Sequence, residues 1–174
     1  KDFTIYTTTA SHSRFLDTSK VQRAVGSFRW ITTSDRLIPA KMTTFGGMYT
    51  VRGYDEYEIV ADGGMLGTAQ YEFDLIKYDQ VMNPDTENDE SAPAGNYELK
   101  KLAPLVFFDF GRTNIESPVA GERKHTTLAS VGAGMLFEIG DNFSGGVYYG
   151  YPLRKTDNTR RGKGRVNVGL LLRW

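Results

Sequence analysis

The chain has 174 residues, contains no cysteine, and balances 21 Lys and Arg against 21 Asp and Glu. The length is typical of one domain, and the lack of cysteine excludes disulfides and thiolate chemistry. The zero net charge argues against a nucleic-acid partner, because nucleic-acid binders usually carry a basic excess. No apolar run is long enough for a transmembrane helix, but strands of alternating character can also cross a bilayer.

Apolar and polar residues alternate with a period of two along most of the chain, which predicts β-strands. A short strand is expected at residues 2–10, followed by a clear one at 21–33. The remaining predicted strands are 64–75, 105–110, 126–137, 143–153 and 165–174. The sequence therefore predicts about seven strands and no helix.

Two segments interrupt the alternation. Residues 34–63 are rich in glycine and not clearly strand-like, and residues 77–99 are rich in Pro, Asp and Glu. The second segment is too polar to pack and is expected to form a solvated loop. Its Asp85, Glu87 and Asp89 have the spacing of a calcium loop, but Glu90 replaces the glycine that such a loop requires. No metal site, catalytic group or cofactor site is predicted.

The faces of the predicted strands indicate the fold. One face is apolar, and the other mixes Gly, Ser, Thr, Gln and Arg, as the lumen of a membrane barrel does. Short connections such as residues 138–142 alternate with longer polar ones such as 154–163. The sequence therefore predicts an all-β fold over residues 1–174: an antiparallel, up-and-down transmembrane β-barrel with about 7–8 strands present. A soluble β-sandwich or lipocalin-like barrel, with its apolar face turned inward, is the alternative.

The most specific motif is FGGMYTVRGY at residues 45–54. It contains a Gly46–Gly47 pair and the tetrapeptide Val51, Arg52, Gly53 and Tyr54. The chain here resembles the Omp85/two-partner-secretion (TpsB) superfamily, in particular the C-terminal barrel of haemolysin-activator proteins. Further ordered matches to that family are ADGGMLGTAQYEFDL (61–75), LAPLVFFDFGR (102–112), VGAGMLF (131–137), YYGYPLRK (148–155) and RVNVGLLLRW (165–174).

The resemblance implies roles for individual residues. The segment 34–63 would fold back into the barrel lumen, where Arg52 would pair with Asp109 on the inner wall. The alternation agrees, since it places Asp109 on the polar side of its strand, opposite Phe108 and Phe110. Gly53 would give the loop tip a φ angle that only glycine adopts readily.

The end of the chain matches a second feature of outer-membrane proteins. Leu170, Leu172 and Trp174 are in phase on the last predicted strand, which ends on an aromatic residue. The resemblance implies that this ending is the signal read by the barrel-assembly machinery during biogenesis.

The resemblance also implies a function. The chain would be the C-terminal part of a sixteen-stranded barrel in the bacterial outer membrane, in contact with outer-membrane lipid. A closed eight-stranded barrel, with one further strand near the start of the chain, is the alternative architecture. It would belong to a pore that secretes an unfolded partner exoprotein (TpsA-like) without nucleotide hydrolysis, so it would not be an enzyme and would not bind nucleic acid. Alternatives within the resemblance are a barrel-assembly insertase and the barrel anchor of a patatin-like phospholipase. A soluble β-barrel that binds a small apolar ligand is the alternative of a different class.

The last predicted connection contains a basic cluster. It consists of Arg154, Lys155, Arg160, Arg161, Lys163 and Arg165. An ordinary solvated loop is the simpler interpretation. If the loop is extracellular, these cations could contact lipopolysaccharide phosphates.

Overall fold

The computed structural model describes residues 3–83 and 98–174, and these form a mostly β structure. The strands are β1 (Ile5–Phe15), β2 (Gln22–Thr33), β3 (Thr43–Phe45), β4 (Ile59–Ala61), β5 (Gly63–Phe73), β6 (Leu99–Asn114), β7 (Thr127–Ile139), β8 (Phe143–Pro152) and β9 (Arg165–Leu172). Seven of them form one antiparallel sheet in the order β1-β2-β5-β6-β7-β8-β9. The sheet is therefore up-and-down, interrupted between β2 and β5 by the small β3–β4 pair.

The predicted strands all occur, most of them within two residues of the predicted ends, but the first strand and β6 differ more in extent. The first strand runs to Phe15 instead of ending at residue 10, because the polar stretch after Ala10 pairs by backbone with Arg23–Ser27 of β2. Strand β6 is longer than the predicted 105–110 at both ends, since β5 and β7 offer backbone partners along most of its length. Backbone pairing thus extends strands into stretches where the side chains do not alternate.

The prediction of no helix is wrong. Helix α1 (Leu75–Met82) follows β5, and the carboxylate of Asp74 caps it by accepting from the N–H groups of Ile76 and Lys77. The predicted polar loop at 77–99 therefore begins inside a helix, and its last residue, Leu99, begins β6. Its Asp85, Glu87 and Asp89 lie outside the described residues. No helix in the described ranges is long and apolar enough to cross a membrane.

The connections divide the sheet into two ends. At the turn end lie the short connections 16–21 and 140–142 together with α1. At the loop end lie residues 34–62, 115–126 and 153–164. The distinction matters because residues 34–62, here called the docked segment, return from the loop end onto one face of the sheet.

The hydrophobic core lies between the docked segment and this covered face. Phe45, Val51, Tyr54 and Ala61 of the segment pack with sheet residues such as Leu66 and Leu128 in one buried cluster. Burial of apolar area is the main stabilising term in folding. The segment is therefore an integral part of the fold and is more than a surface connection.

The opposite face of the sheet carries large apolar side chains that remain exposed, and it is here called the bare face. Register places Met65, Phe28 and Phe108 on it, and the last strands continue it with Val147, Tyr149, Val166, Val168, Leu170 and Leu172. On β7, β8 and β9 every bare-face position is uncharged. Among the described residues, nothing pairs with the outer edge of β1 or of β9.

Candidate functional site: a docked loop held by a buried ion pair

The structure brings Arg52 and Asp109 together. The Arg52 Nε and Nη2 atoms lie 2.8 and 2.9 Å from the two carboxylate oxygens of Asp109, and the Arg52 backbone N–H donates to Oδ2 at 3.0 Å. Asp109 is fully buried and Arg52 is 6% exposed. The pair thus has the bidentate geometry that makes Arg–carboxylate contacts strong and specific.

The guanidinium is also enclosed by neutral groups. Its Nη1 donates to Oε1 of Gln70 at 2.8 Å. Its Cζ lies 3.5 Å from the ring centroid of Phe107 and 5.1 Å from that of Tyr148. Cation–π contacts of this kind strengthen when they are desolvated. Arg52 is therefore held by side chains from β5, β6 and β8 at once.

The polar contacts continue along the covered face toward the turn end. Gln70 Nε2 donates to Glu72 at 2.8 Å, and the buried Glu72 accepts from Arg23 of β2 at 2.6 Å. Lys101 Nζ lies 4.0 Å from the same carboxylate. The covered face thus holds a row of charged and amide side chains that extends from Arg52 toward the turn end.

Gly53 brings the backbone of the segment directly onto β8. Its φ is +94°, in the region that favours glycine. A Cβ at Gly53 would lie 2.8 Å from the carbonyl carbon of Gly150, and a Cβ at Gly150 would lie 2.5 Å from the nitrogen of Gly53. Both positions therefore require glycine, since even a methyl group would separate the two backbones.

Two further glycines of the covered face lie where the segment docks. A Cβ at Gly111 on β6 would lie 2.9 Å from Cγ2 of Val51, and a Cβ at Gly169 on β9 would lie 2.4 Å from Cε of Met48. The segment thus fits into places on the wall where side chains are missing. Docking of the segment thus accounts for glycine at positions 111, 150 and 169 of the covered face.

Tyr54 joins the segment to the loop end. Its hydroxyl lies 3.0 and 2.9 Å from the carbonyl oxygens of Ala129 and Arg154, and the N–H groups of the same two residues point to it. Burial raises the pKa of the phenol, and the backbone hydrogen bonds act in the opposite direction. Tyr54 therefore stays neutral and serves as a buried hydrogen-bonding centre.

Gly46, Gly47 and Val51 shape the segment itself. Val51 is fully buried in the core cluster. The two glycines form the turn after β3, where the Gly46 carbonyl accepts from the Thr50 hydroxyl at 2.8 Å. A Cβ at Gly46 would lie 2.5 Å from the carbonyl oxygen of Asp55. Gly46, Gly47, Val51, Arg52, Gly53 and Tyr54 thus all help to fold or dock one segment.

Two buried carboxylates fix the segment at the loop end. Asp62 accepts from the N–H groups of Leu37 and Glu116, each at 2.7 Å. Glu58 accepts from the hydroxyls of Thr156 and Thr159 and from the Thr159 N–H at 3.2 Å. Burial alone would raise the pKa of Glu58, but these hydrogen bonds outweigh it and lower the pKa.

The predicted assembly signal lies apart from this site. Leu170 and Leu172 are exposed on the bare face of β9, and Trp174 is fully exposed beyond the end of that strand. None of the three residues belongs to the core cluster. Their suggested role in biogenesis stays a prediction.

Several groups that hold the docked segment were not predicted from the sequence. Phe107 and Gln70 share the phase of Asp109 and Glu72 on their strands, so alternation could have placed them on the same face. Glu58 and the Thr156–Thr159 turn carry no pattern that links them, since 98 residues separate Glu58 from Thr156. Only the fold brings these last groups together.

The charged groups of the site contact one another, since Arg52 pairs with Asp109 and Arg23 pairs with Glu72. Among the described residues, no group of three or more His, Asp or Glu side chains could hold a metal ion. The arrangement is suited to holding a chain segment at a defined position. No protein-family model, curated protein or solved structure compared with the chain matches it.

Proposed function

We propose that the chain is the C-terminal barrel part of an outer-membrane pore that secretes a partner exoprotein, as in two-partner secretion. The observation that carries the proposal is the docked segment with its Arg52–Asp109 pair, which lies on the covered face while the opposite face is bare and apolar. In a pore, the covered face would line the lumen and the segment would lie inside it. The pore would act on an unfolded chain without hydrolysing nucleotide.

The bare face supports a membrane setting. Monomeric soluble proteins rarely expose large contiguous apolar patches. Here exposed apolar side chains extend across β5 to β9, while Arg52, Glu72 and Asp109 are buried on the other side. A soluble ligand-binding barrel would have the reverse arrangement. Lipid would cover the bare face, and water would fill the space beside the docked segment.

The sheet edges support a larger barrel. The outer edges of β1 and β9 lack partners among the described residues. Open sheet edges are not tolerated in lipid, because each unpaired backbone group costs several kcal/mol there. We propose that further strands of a longer protein close the sheet, in line with a sixteen-stranded barrel. A barrel-assembly insertase and a phospholipase anchor would share this architecture and differ in the domains that precede it.

Charge exchange tests the pore mechanism. Arg52→Asp and Asp109→Arg should each abolish most secretion by the intact protein, because each leaves a buried charge opposite a like charge. The double variant restores opposite charges and should recover part of the secretion. The control is the partly exposed pair Arg36–Glu122, whose reversal should have little effect.

The outcome must be read against the amount of protein in the outer membrane. Normal levels of both single variants with lost secretion support a role of the docked segment in transport. Full secretion by both single variants would contradict the proposal. If the protein is folded and monomeric in the aqueous fraction without detergent, the membrane setting itself is wrong.

A further inference from the structure

The loop between β8 and β9 is strongly cationic. Residues 153–164 carry five exposed cations: Arg154, Lys155, Arg160, Arg161 and Lys163. The one acidic residue of the loop is Asp157. Its Oδ1 lies 3.4 Å from Nη2 of Arg123 in the connection between β6 and β7. The chain as a whole has zero net charge, so this loop concentrates positive charge at one place on the surface.

The loop is held in place by the docked segment. The hydroxyls of Thr156 and Thr159, both buried, donate to the carboxylate of Glu58. The Thr156 N–H also donates to the carbonyl oxygen of Thr159 at 2.9 Å, which closes a tight turn. The cations on either side of this turn are therefore carried by a positioned backbone, so that binding a ligand costs less ordering entropy.

The second half of the loop lies against the bare face. A Cβ at Gly164 would lie 2.3 Å from Oη of Tyr149, and a Cβ at Gly162 would lie 3.0 Å from Oη of Tyr151. Both tyrosines belong to the bare face of β8 and are partly exposed. The backbone that carries Arg160, Arg161 and Lys163 thus meets the apolar surface at its loop-end border.

This juxtaposition matches the chemistry of a lipid at the membrane surface. Tyrosines are enriched where hydrocarbon meets water, and cations near that level attract anionic headgroups. Farther from the loop end than these tyrosines, the bare face of β8 and β9 carries no charge, only side chains such as Val147, Val168 and Leu170 that suit acyl chains. A freely soluble anion would use the cations but not the apolar surface.

We infer that Arg160, Arg161 and Lys163 bind the phosphate of a lipid with a net negative headgroup, whose acyl chains lie on the bare face of β8 and β9. The inference rests on the proposed membrane setting. It adds a ligand that neither the docked segment nor the transport of a partner requires.

Native mass spectrometry of the intact protein in neutral detergent tests this binding. The protein is titrated with phosphatidylglycerol or with phosphatidylcholine of the same acyl chains. We expect phosphatidylglycerol to bind roughly 30- to 150-fold more tightly, because each of two or three cations near an anionic headgroup contributes about fivefold. The variant Arg160→Gln/Arg161→Gln/Lys163→Gln should lose this preference.

The matched control removes three cations at the turn end, with the variant Lys20→Gln/Lys77→Gln/Lys100→Gln. It should keep the preference for phosphatidylglycerol. Equal binding of the two lipids, an equal loss in the control, or displacement of phosphatidylglycerol by millimolar inorganic phosphate would overturn the inference. If folded protein in detergent shows no preference, only this inference fails. If the protein is soluble without detergent and binds neither lipid, the proposed membrane setting fails with it.

Discussion

The two faces of the sheet have opposite chemistry. The covered face buries Arg52, Asp109 and Glu72 beneath or beside the docked segment, whereas the bare face exposes Phe108, Val147 and their neighbours. In a water-soluble protein the apolar face is the buried one. Burial of Arg52 and Asp109 on the covered face thus depends on the docked segment, whereas no described residues cover the bare face.

Directional contacts fix the position of the docked segment on the covered face. Apolar packing would allow it many positions, because the hydrophobic effect is non-directional. The bidentate Arg52–Asp109 pair and the Gly53–Gly150 contact each require one position only. The covered face therefore combines a small core with directional contacts. Substitutions at these contacts can be compared with substitutions on the bare face.

The largest effect is expected from Arg52→Met, which leaves Asp109 buried without its cation. Such a change costs about 3–5 kcal/mol of unfolding free energy. Urea unfolding of the protein in lipid vesicles measures it. The control Arg36→Met removes a partly exposed cation from Glu122 and should cost no more than about 1 kcal/mol. Similar losses in both variants would mean that the covered face is open to water.

A charge on the bare face should have the next largest effect. Phe108→Arg places a cation among apolar side chains near the middle of β6. If lipid covers this face, the change should cost about 2–4 kcal/mol. Tyr49→Arg, at a site 88% exposed on the docked segment, is the control and should be nearly neutral. A neutral Phe108→Arg would show that water covers the bare face.

Much of the fold follows from the sequence for a simple reason. Alternation reports which side of a strand is apolar, so the seven strands and the phase of Asp109 are predictable. Helix α1 was missed because its signal is local: one capping carboxylate, Asp74, followed by a helix of only eight residues. The limits of β1 and β6 were missed because backbone pairing continues into stretches where apolar and polar residues do not alternate.

The candidate site was predictable only in part. The resemblance predicted the pairing of Arg52 with Asp109. In the structure, Nε of Arg52 lies 2.8 Å from Oδ2 of Asp109. Glu58 and Thr156 could not be paired from the sequence, since no periodicity spans two loops. Their contact depends on the register of seven strands, which brings the docked segment and the last loop to the same end of the sheet.

Close packing between the segment and the wall should respond to a single methyl group. Gly150→Ala introduces a Cβ 2.5 Å from the Gly53 nitrogen. Because the atom it meets belongs to the backbone, no side-chain rotation can relieve the clash. Overpacking of this kind typically costs about 1–3 kcal/mol of unfolding free energy. Gly26→Ala is the control, because its Cβ would meet nothing closer than 3.9 Å. A neutral Gly150→Ala would mean that the segment is not docked against β8.

The smallest effect concerns pH and the contact between Glu58 and the last loop. Because hydrogen bonds from Thr156 and Thr159 lower the pKa of Glu58 below its ordinary value of 4.5, the folded state favours the charged form. The resulting stability is fully present above pH 4.5 and is lost as the pH falls through the lowered value. The difference in unfolding free energy between the wild type and Glu58→Gln should therefore shrink as the pH is lowered from 6 toward 3. Asp157→Asn, which alters an exposed carboxylate in the same loop, is the control. A difference that grows on acidification would show that the neutral carboxyl makes the contact, so that the loop would tighten in acid.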